Sequence, residues 1–242
     1  MTLDDPEALF HSPADRAGYV RRMFGEISGR YDLVNRIMTL GRDQAWRRLA
    51  AEELVRPGDR VVDVGSGTGD LAFAARAAGA RAVFALDFAR PMLERARAKA
   101  HERADDGIAW LHADATRLPL PDESVDGWCS AFVVRNIPNL DAALAEAYRV
   151  LRPRGRLAVL EVPRMDGGWQ RPFARVHFTR VVPLIGRGIS GHADAYTYLP
   201  VSVDHFLTPQ EFTQRLVAAG FRVRSVRRLM LGTVALHVAE KR

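Results

Sequence analysis

A β-branched run that ends in three alternating glycines narrows the folds open to this chain more than any other feature. Residues 60–70 read Arg-Val-Val-Asp-Val-Gly-Ser-Gly-Thr-Gly-Asp. Val61, Val62 and Val64 make a short buried strand, and Gly65, Gly67 and Gly69 let the backbone turn sharply and come close to a ligand. A helix is expected from about Asp70. One βαβ step downstream a second apolar strand ends at Asp87, where a carboxylate can accept both hydroxyls of a ribose. The pairing of loop and acid predicts an adenosyl cofactor in a parallel α/β sheet.

Two such cofactors compete. A dinucleotide site carries G-x-G-x-x-G, whose third glycine packs the helix onto the strand, but position 70 here is aspartate and the spacing is G-x-G-x-G. Asp63 stands two residues before the first glycine, so the loop offers a pyrophosphate no clean seat. A sulfonium and an α-ammonium are cationic and suit these acids. S-adenosylmethionine is therefore favoured over NAD, with Asp63 organising the loop amides and Asp70 or a water meeting the amino-acid moiety. A tight structural turn is the alternative for the glycines, and Asp87 argues against it.

Strand and helix signals alternate after residue 60, the pattern of a doubly wound sheet. Strands are expected at 60–64, 82–86, 108–112, 125–130 and 156–162, with helices at about 70–78, 90–103 and 141–151. Pro91 belongs in the first turn of its helix. Pro153 and Gly155 are expected to break the chain before the fifth strand. A helix from Pro209 to Ala219 then precedes runs at 221–229 and 232–239 that read as an antiparallel hairpin. The whole is one domain over 1–242: a helical cap at 14–54, a cofactor-binding core at 55–162, a substrate lid at 163–208, and the C-terminal helix and hairpin at 209–242.

At 242 residues and 48% hydrophobic content, one core of this size can be buried. Cys129 is the only cysteine, which rules out an internal disulfide and points to a reducing cytoplasm. No stretch has the length of a spanning helix, and residues 1–10 are acidic with no leader core. Residues 1–151 hold 20 basic and 23 acidic residues, whereas residues 152–242 hold 15 and 6. That basic last third suits an anionic membrane surface or nucleic acid. Arginine makes up 33 of the 35 basic residues, which is equally a signature of genomic base composition. Residues 169–189, apolar but edged by Arg171, Arg175, Arg180 and Arg187, could wall a channel for a greasy tail and rest on a membrane, or could simply cover the sheet.

Further residues are more specific than a fold class. Met23-Phe24, Tyr31-Asp32-Leu33-Val34-Asn35, Leu40-Gly41 and Trp46-Arg47-Arg48 are followed by Asp63 to Asp70, Asp87, Ala113-Asp114-Ala115 and Arg135-Asn136. Tyr148-Arg149-Val150-Leu151, Tyr198-Leu199, Ser202 and Gly232-Thr233-Val234-Ala235-Leu236-His237 complete the series. Over about residues 20–241 the chain resembles the menaquinone and ubiquinone C-methyltransferases of the UbiE/MenG type. The resemblance implies a class I methyltransferase fold: α/β, Rossmann-like, a mostly parallel seven-stranded sheet with helices on both faces, an N-terminal helical cap and an insertion after the fifth strand. It implies S-adenosylmethionine as cofactor and a polyprenylated quinol, demethylmenaquinol first, as acceptor. By carry-over, Thr68 contacts the cofactor, Asp87 its ribose, and Asp114 with Ala115 its adenine, beside Asp63, Gly65, Gly67 and Gly69 of the loop.

Three departures bear on the substrate side. The family's Ser-Phe-Gly-Leu-Arg-Asn is Ala131-Phe132-Val133-Val134-Arg135-Asn136 here, so Ala131 retains only backbone contact with the cofactor. Pro-Asp-Gln becomes Leu207-Thr208-Pro209-Gln210, and Glu-Phe-Ser becomes Glu161-Val162-Pro163.

Methylation of a ring carbon needs a phenolate that pushes charge onto the ortho position. Arg135 is the first candidate to stabilise that anion, with Asp126 or Asp141 as its partners if it is merely structural. The proton acceptor is Asp32, or a water held by Asn136 and Tyr31, with His205 as an outsider. No His/Cys spacing suggests a metal, and no nucleic-acid methylation motif is present. Transient membrane contact on the inner face of the cell membrane is expected, and the oligomeric state is left open, a homodimer included. The alternatives are another phenolic acceptor, or a non-catalytic scaffold of quinone biosynthesis.

Overall fold

Val61, Val62 and Val64 are almost completely buried because the strand they form, β1 (Arg60–Val64), lies inside the sheet with neighbours on both sides. The computed structural model describes residues 6–165, 167 and 193–242. The sheet continues through β2 (Ala82–Asp87), β3 (Ile108–His112), β4 (Val125–Ala131), β5 (Leu151–Glu161), β6 (Phe221–Leu229) and β7 (Val234–Lys241). Its order is β3-β2-β1-β4-β5-β7-β6. β7 pairs antiparallel with both β5 and β6, and the other ladders are parallel. The expected hairpin therefore forms, but β7 wedges between β5 and β6. The chain order reverses direction between β1 and β4, which opens a crevice at their carboxyl ends.

The fifth strand corrects an expectation. It starts at Leu151, immediately after the helix Leu140–Val150, so Pro153 and Gly155 lie within it. Val125 pairs with Leu151 and Gly127 with Arg156, leaving an unpaired bulge between them. Arg154 takes the left-handed conformation there, at φ 62°.

Helices α1 (Pro13–Ile27), α2 (Tyr31–Met38), α3 (Arg42–Leu54), α4 (Asp70–Ala77), α5 (Arg90–Glu102), α6 (Leu140–Val150), α7 (Ala193–Asp204) and α8 (Pro209–Ala218) surround the sheet. The expected cap at 14–54 divides into two parts. Trp46, Ala50 and Leu54 of α3 join the core with Val61, Leu160 and Leu236, making α3 a layer against the sheet. α1 and α2 form a separate cluster through Val20, Met23, Ile27 and Val34, closed by Tyr198 of α7. Of the expected lid, residues 163–165, 167 and 193–208 are described, whereas residues 169–189 and His192 lie outside the described residues.

Truncation of Leu54, fully buried between α3 and the sheet, removes contacts that no exposed residue can replace. Leu54→Ala should cost about 2–5 kcal/mol. A urea midpoint that does not move would contradict α3 as a sheet-packed layer.

Candidate active site

The turn after β1 and the end of β2 are tied together by one carboxylate. Asp87 Oδ2 accepts the Gly67 N–H at 2.8 Å, and Oδ1 accepts the Ala89 N–H at 2.8 Å. A carboxylate has about four lone-pair sites, so each oxygen can take a further bond. Burial raises the Asp87 pKa while these N–H groups pull it down. Gly65, at φ 69°, has no room for a side chain, because a Cβ there would collide with the Val133 side chain. The departure at 133 is thus accommodated by the glycine opposite.

A cleft runs across this turn. Leu86, Asp87, Ala113, Asp114, Ala115 and Val133 line one end. Asp114 is held there by its own turn, Oδ1 accepting the Thr116 N–H and hydroxyl, each at 2.7 Å. Arg47, Asp63, Ser66, Gly67, Thr68 and Ala131 line the inner end. Asp63 Oδ2 and Ser66 Oγ are buried there without a hydrogen-bond partner. Burial pushes the Asp63 carboxyl up to about 7, Asp87 adding to the shift and Arg47 opposing it. An acid awaiting a cation, a ribose-type carboxylate and an apolar slot are the donor and acceptor set an adenosyl amino acid requires.

Two loop residues behave differently from expectation. Gly69 faces away from the cleft, a Cβ there falling 2.5 Å from Trp110 Cη2, so it is a packing glycine at the start of α4. The Thr68 hydroxyl, although beside the cleft, donates to Asp32 Oδ1 at 2.5 Å. Asp32 also accepts Lys99 Nζ at 3.0 Å, and Lys99 reaches Asp70 at 2.5 Å. Gln44 Nε2 donates to the same Asp70 at 2.7 Å. Burial raises the Asp70 pKa, but Lys99, Arg47 and Gln44 outweigh it and hold the group low. Asp32 is therefore not placed as a proton acceptor: it belongs to a latch that fastens α2 to the glycine turn, and Asp70 is already engaged.

Beside the cleft lies an apolar cavity open to the surface, walled by residues such as Met23, Val34, Trp46, Val162, Leu199 and Val234. Tyr31 and Asn136 line both the cavity and the cleft. Burial pushes the Tyr31 phenol pKa up, with Arg47 and a hydrogen bond to Asn35 opposing it. Tyr198 donates its hydroxyl to Asn136 Oδ1 at 3.2 Å, which fixes the amide.

Arg135 also lines the cavity, but its partner is Glu161, not Asp126 or Asp141. Nη1 meets Glu161 Oε1 at 2.5 Å and the Phe132 carbonyl at 2.9 Å, and Nε reaches Ser202 at 3.3 Å. Asp126 instead pairs with Arg152 and Asp141 with Arg215. His205 is on the surface against Glu7 and stacked on Phe10, away from the cavity wall. His237 is buried in β7 with Nε2 at 3.1 Å from the Pro209 carbonyl.

Sequence reasoning passed over Lys99 and Asp43, and it noted Arg47 and Glu161 only as parts of motifs. Lys99 is one of only two lysines in an arginine-rich chain, a signal that was available. Asp43 and Arg47 carried a weaker one, an i,i+4 acid–base pair in a helix, which is ordinarily a solvated pair. Here it is buried, at 3.0 Å. Glu161 carried none. Among the described residues no helix is long and apolar enough to cross a membrane, and no cluster of His, Cys, Asp or Glu could hold a metal.

The fold matches solved structures of S-adenosylmethionine-dependent methyltransferases. One from Thermotoga maritima, titled a possible histamine N-methyltransferase, superposes with a TM-score of 0.64 at 20% identity, covering 91% of this chain and 99% of that one. Another from Aquifex aeolicus gives 0.62 at 20% identity over 86% and 97%. At such identity the likeness concerns the fold alone. In sequence, the demethylmenaquinone methyltransferase of Thermus thermophilus is 46% identical over 222 residues, 90% of this chain and 100% of that protein. That of Deinococcus radiodurans is 42% identical over 94% and 95%. The ubiquinone/menaquinone biosynthesis C-methyltransferase UbiE of Desulfotalea psychrophila is 37% identical over 90% and 88%. With residues 13–241 matching that family's model, the chain belongs to the ubiE/COQ5 methyltransferase family.

Proposed function

We propose that the chain methylates a ring carbon of a polyprenylated quinol with S-adenosylmethionine, converting demethylmenaquinol to menaquinol. The relatives of highest identity quoted above carry the demethylmenaquinone methyltransferase name. The observation that carries the reading is the shared border: Tyr31 and Asn136 line both the cleft at the glycine turn and Asp87 and an apolar cavity suited to a ring with a greasy tail. Asp87 holds the ribose, Asp114 and Ala115 the adenine edge, Asp63 the α-ammonium, and Gly65, Gly67 and Ala131 offer backbone. When bound, the cofactor would supply an electrophilic methyl on sulfur; the ring carbon that receives it gives up its own hydrogen as a proton, which restores the aromatic ring.

The protein's own task is alignment, exclusion of water and removal of the quinol proton. Tyr31 and Asn136 hold the quinol hydroxyl and the water that takes its proton. Arg135 stabilises the phenolate as an oriented donor, its full charge compensated by Glu161. The apolar lining keeps the tail and the ring carbon dry.

The finer reading places the protein transiently on the anionic inner face of the cell membrane, from the cytoplasm, because the acceptor's tail resides in lipid. Its support is the basic last third of the sequence together with exposed Leu33, Ile37 and Leu40 on and beside α2, which also lines the cavity. Pelleting with phosphatidylglycerol vesicles should deplete the supernatant, and neutral vesicles should do so less. Equal recovery from both supernatants, matching the lipid-free control, would end the membrane reading.

The direct assay is methyl transfer from labelled cofactor to reduced demethylmenaquinone. Labelled menaquinol is expected, and no product under reducing conditions would overturn the proposal. Asn136→Ala and Tyr31→Phe should each lower kcat by about 10²-fold or more, with little change in cofactor affinity.

Asp63 sets a pH dependence. Its folded pKa of about 7 stands above the ordinary 3.8, so the folded chain keeps a proton that the unfolded chain has released. Its contribution to stability accordingly falls as pH rises from 3.8 to about 7 and is level above that. Without cofactor, Asp63→Asn should lose this fall and gain on wild type toward neutral pH. A stability difference between the two that is constant across the window, measured by urea unfolding, would show that Asp63 is not held protonated.

A further inference from the structure

The inner end of the cleft is acidic, yet the ligand assigned to it carries an anion as well as a cation. Asp63 and Asp70 both stand there, and Asp87 adds to the field at Asp63. A free α-carboxylate placed among them would be repelled by Asp70, and by Asp63 once it has given up its proton to meet the α-ammonium. Arg47 is the cation lining that end among the described residues, since Lys99 is drawn off to Asp32 and Asp70 behind the loop. It is only 5% exposed, projecting from α3 beneath the loop after β4, with its guanidinium 5.1 Å from the Phe132 ring centre.

Its bond to Asp43 does not remove it from the site. Nη1 donates to Asp43 Oδ2 at 3.0 Å, which occupies one of the five guanidinium N–H donors. Asp43 is also hydrogen-bonded by Thr39 at 3.2 Å and Gln44 at 3.1 Å, so it anchors the arginine without being dependent on it. The charge of Arg47 is felt at Asp63, Asp70 and Tyr31, which locates it centrally among the groups of the inner cleft. Stacking on Phe132 and anchoring by Asp43 leave the planar fork preorganised, the geometry that suits a carboxylate.

We infer that Arg47 is the binding seat of the cofactor's α-carboxylate, opposite Asp63, which takes the α-ammonium, so that the inner cleft reads both charges of an amino acid. This rests on the S-adenosylmethionine assignment and goes beyond it by specifying which residue recognises which end. It also gives the Trp46-Arg47 pair a divided role: Trp46 walls the acceptor cavity while its neighbour faces the cofactor.

Calorimetric titration of the full chain with S-adenosylhomocysteine and with its decarboxylated analogue tests this in a two-by-two cycle with Arg47→Gln. Wild type should lose about 10- to 100-fold in affinity when the ligand lacks its carboxylate, the range for a hydrogen-bonded charged pair. Arg47→Gln should bind both ligands alike, at the weaker level, and Arg47→Lys should recover part of the preference. A general disturbance of the cleft would weaken both ligands together and keep the wild-type ratio. That outcome, or a wild type indifferent to the carboxylate, overturns the assignment. Failure of wild type to bind S-adenosylhomocysteine at all would instead sink the cofactor reading on which it stands.

Discussion

Asp87 is the fastening on which the site depends. Its carboxylate grips the Gly67 amide from the turn after β1 and the Ala89 amide that opens the next helix. Two adjacent strand ends thereby share one anchor. The parallel register puts them side by side, with Val64 opposite Leu86, so the bond needs no reaching loop. Hydrogen bonds to an ionised acceptor are the strong ones, and burial makes each of them costly to break. The glycine turn can then stay open toward the cleft without collapsing onto β2.

A second fastening fixes the roof. Lys99 brings Asp32 of α2 and Asp70 of α4 together, with Thr68 at its side. α2 makes few contacts with the sheet, so this latch is what registers Tyr31 over the cofactor turn and Val34 over the acceptor cavity. The cleft and the apolar cavity thus share a border, Tyr31 with Asn136, whose two halves come from a helix in the first forty residues and the connection after β4. Tyr198 holds that border from above through Asn136. Methyl transfer brings the two reacting atoms within about 3–3.5 Å, so the proposed reaction requires the cleft and the cavity to open onto each other at this border.

The positions that misled are those where chemical type alone was informative and geometry was not. Asp32 and Arg135 look reactive as isolated residues. In the structure Asp32 is a latch, while Arg135 stays on the cavity wall but is oriented by Glu161, a residue at the end of β5 that nothing local in the sequence connects to it. Gly69 looked like Gly65 and Gly67, yet it serves the packing of Trp110 and Phe73 against the turn. A buried acid–base pair such as Asp43 with Arg47 is indistinguishable in sequence from a solvated one, because i,i+4 spacing says which residues meet and not what covers them.

Local chemistry settled a good deal without tertiary help. The β-branched run, the alternating glycines and Asp87 specify a strand, a turn of positive φ and an acid at the next strand end, because each follows from backbone sterics and from the side-chain period of strands and helices. The alternation of elements fixed the class of sheet for the same reason. Only the folded chain decided that β7 would enter between β5 and β6, that α3 would leave the cap for the sheet, and that Arg47 would face Asp63 while Lys99 faced Asp32. Those outcomes depend on which distant surfaces exclude water from one another, and burial converts an ordinary surface charge into a directed one.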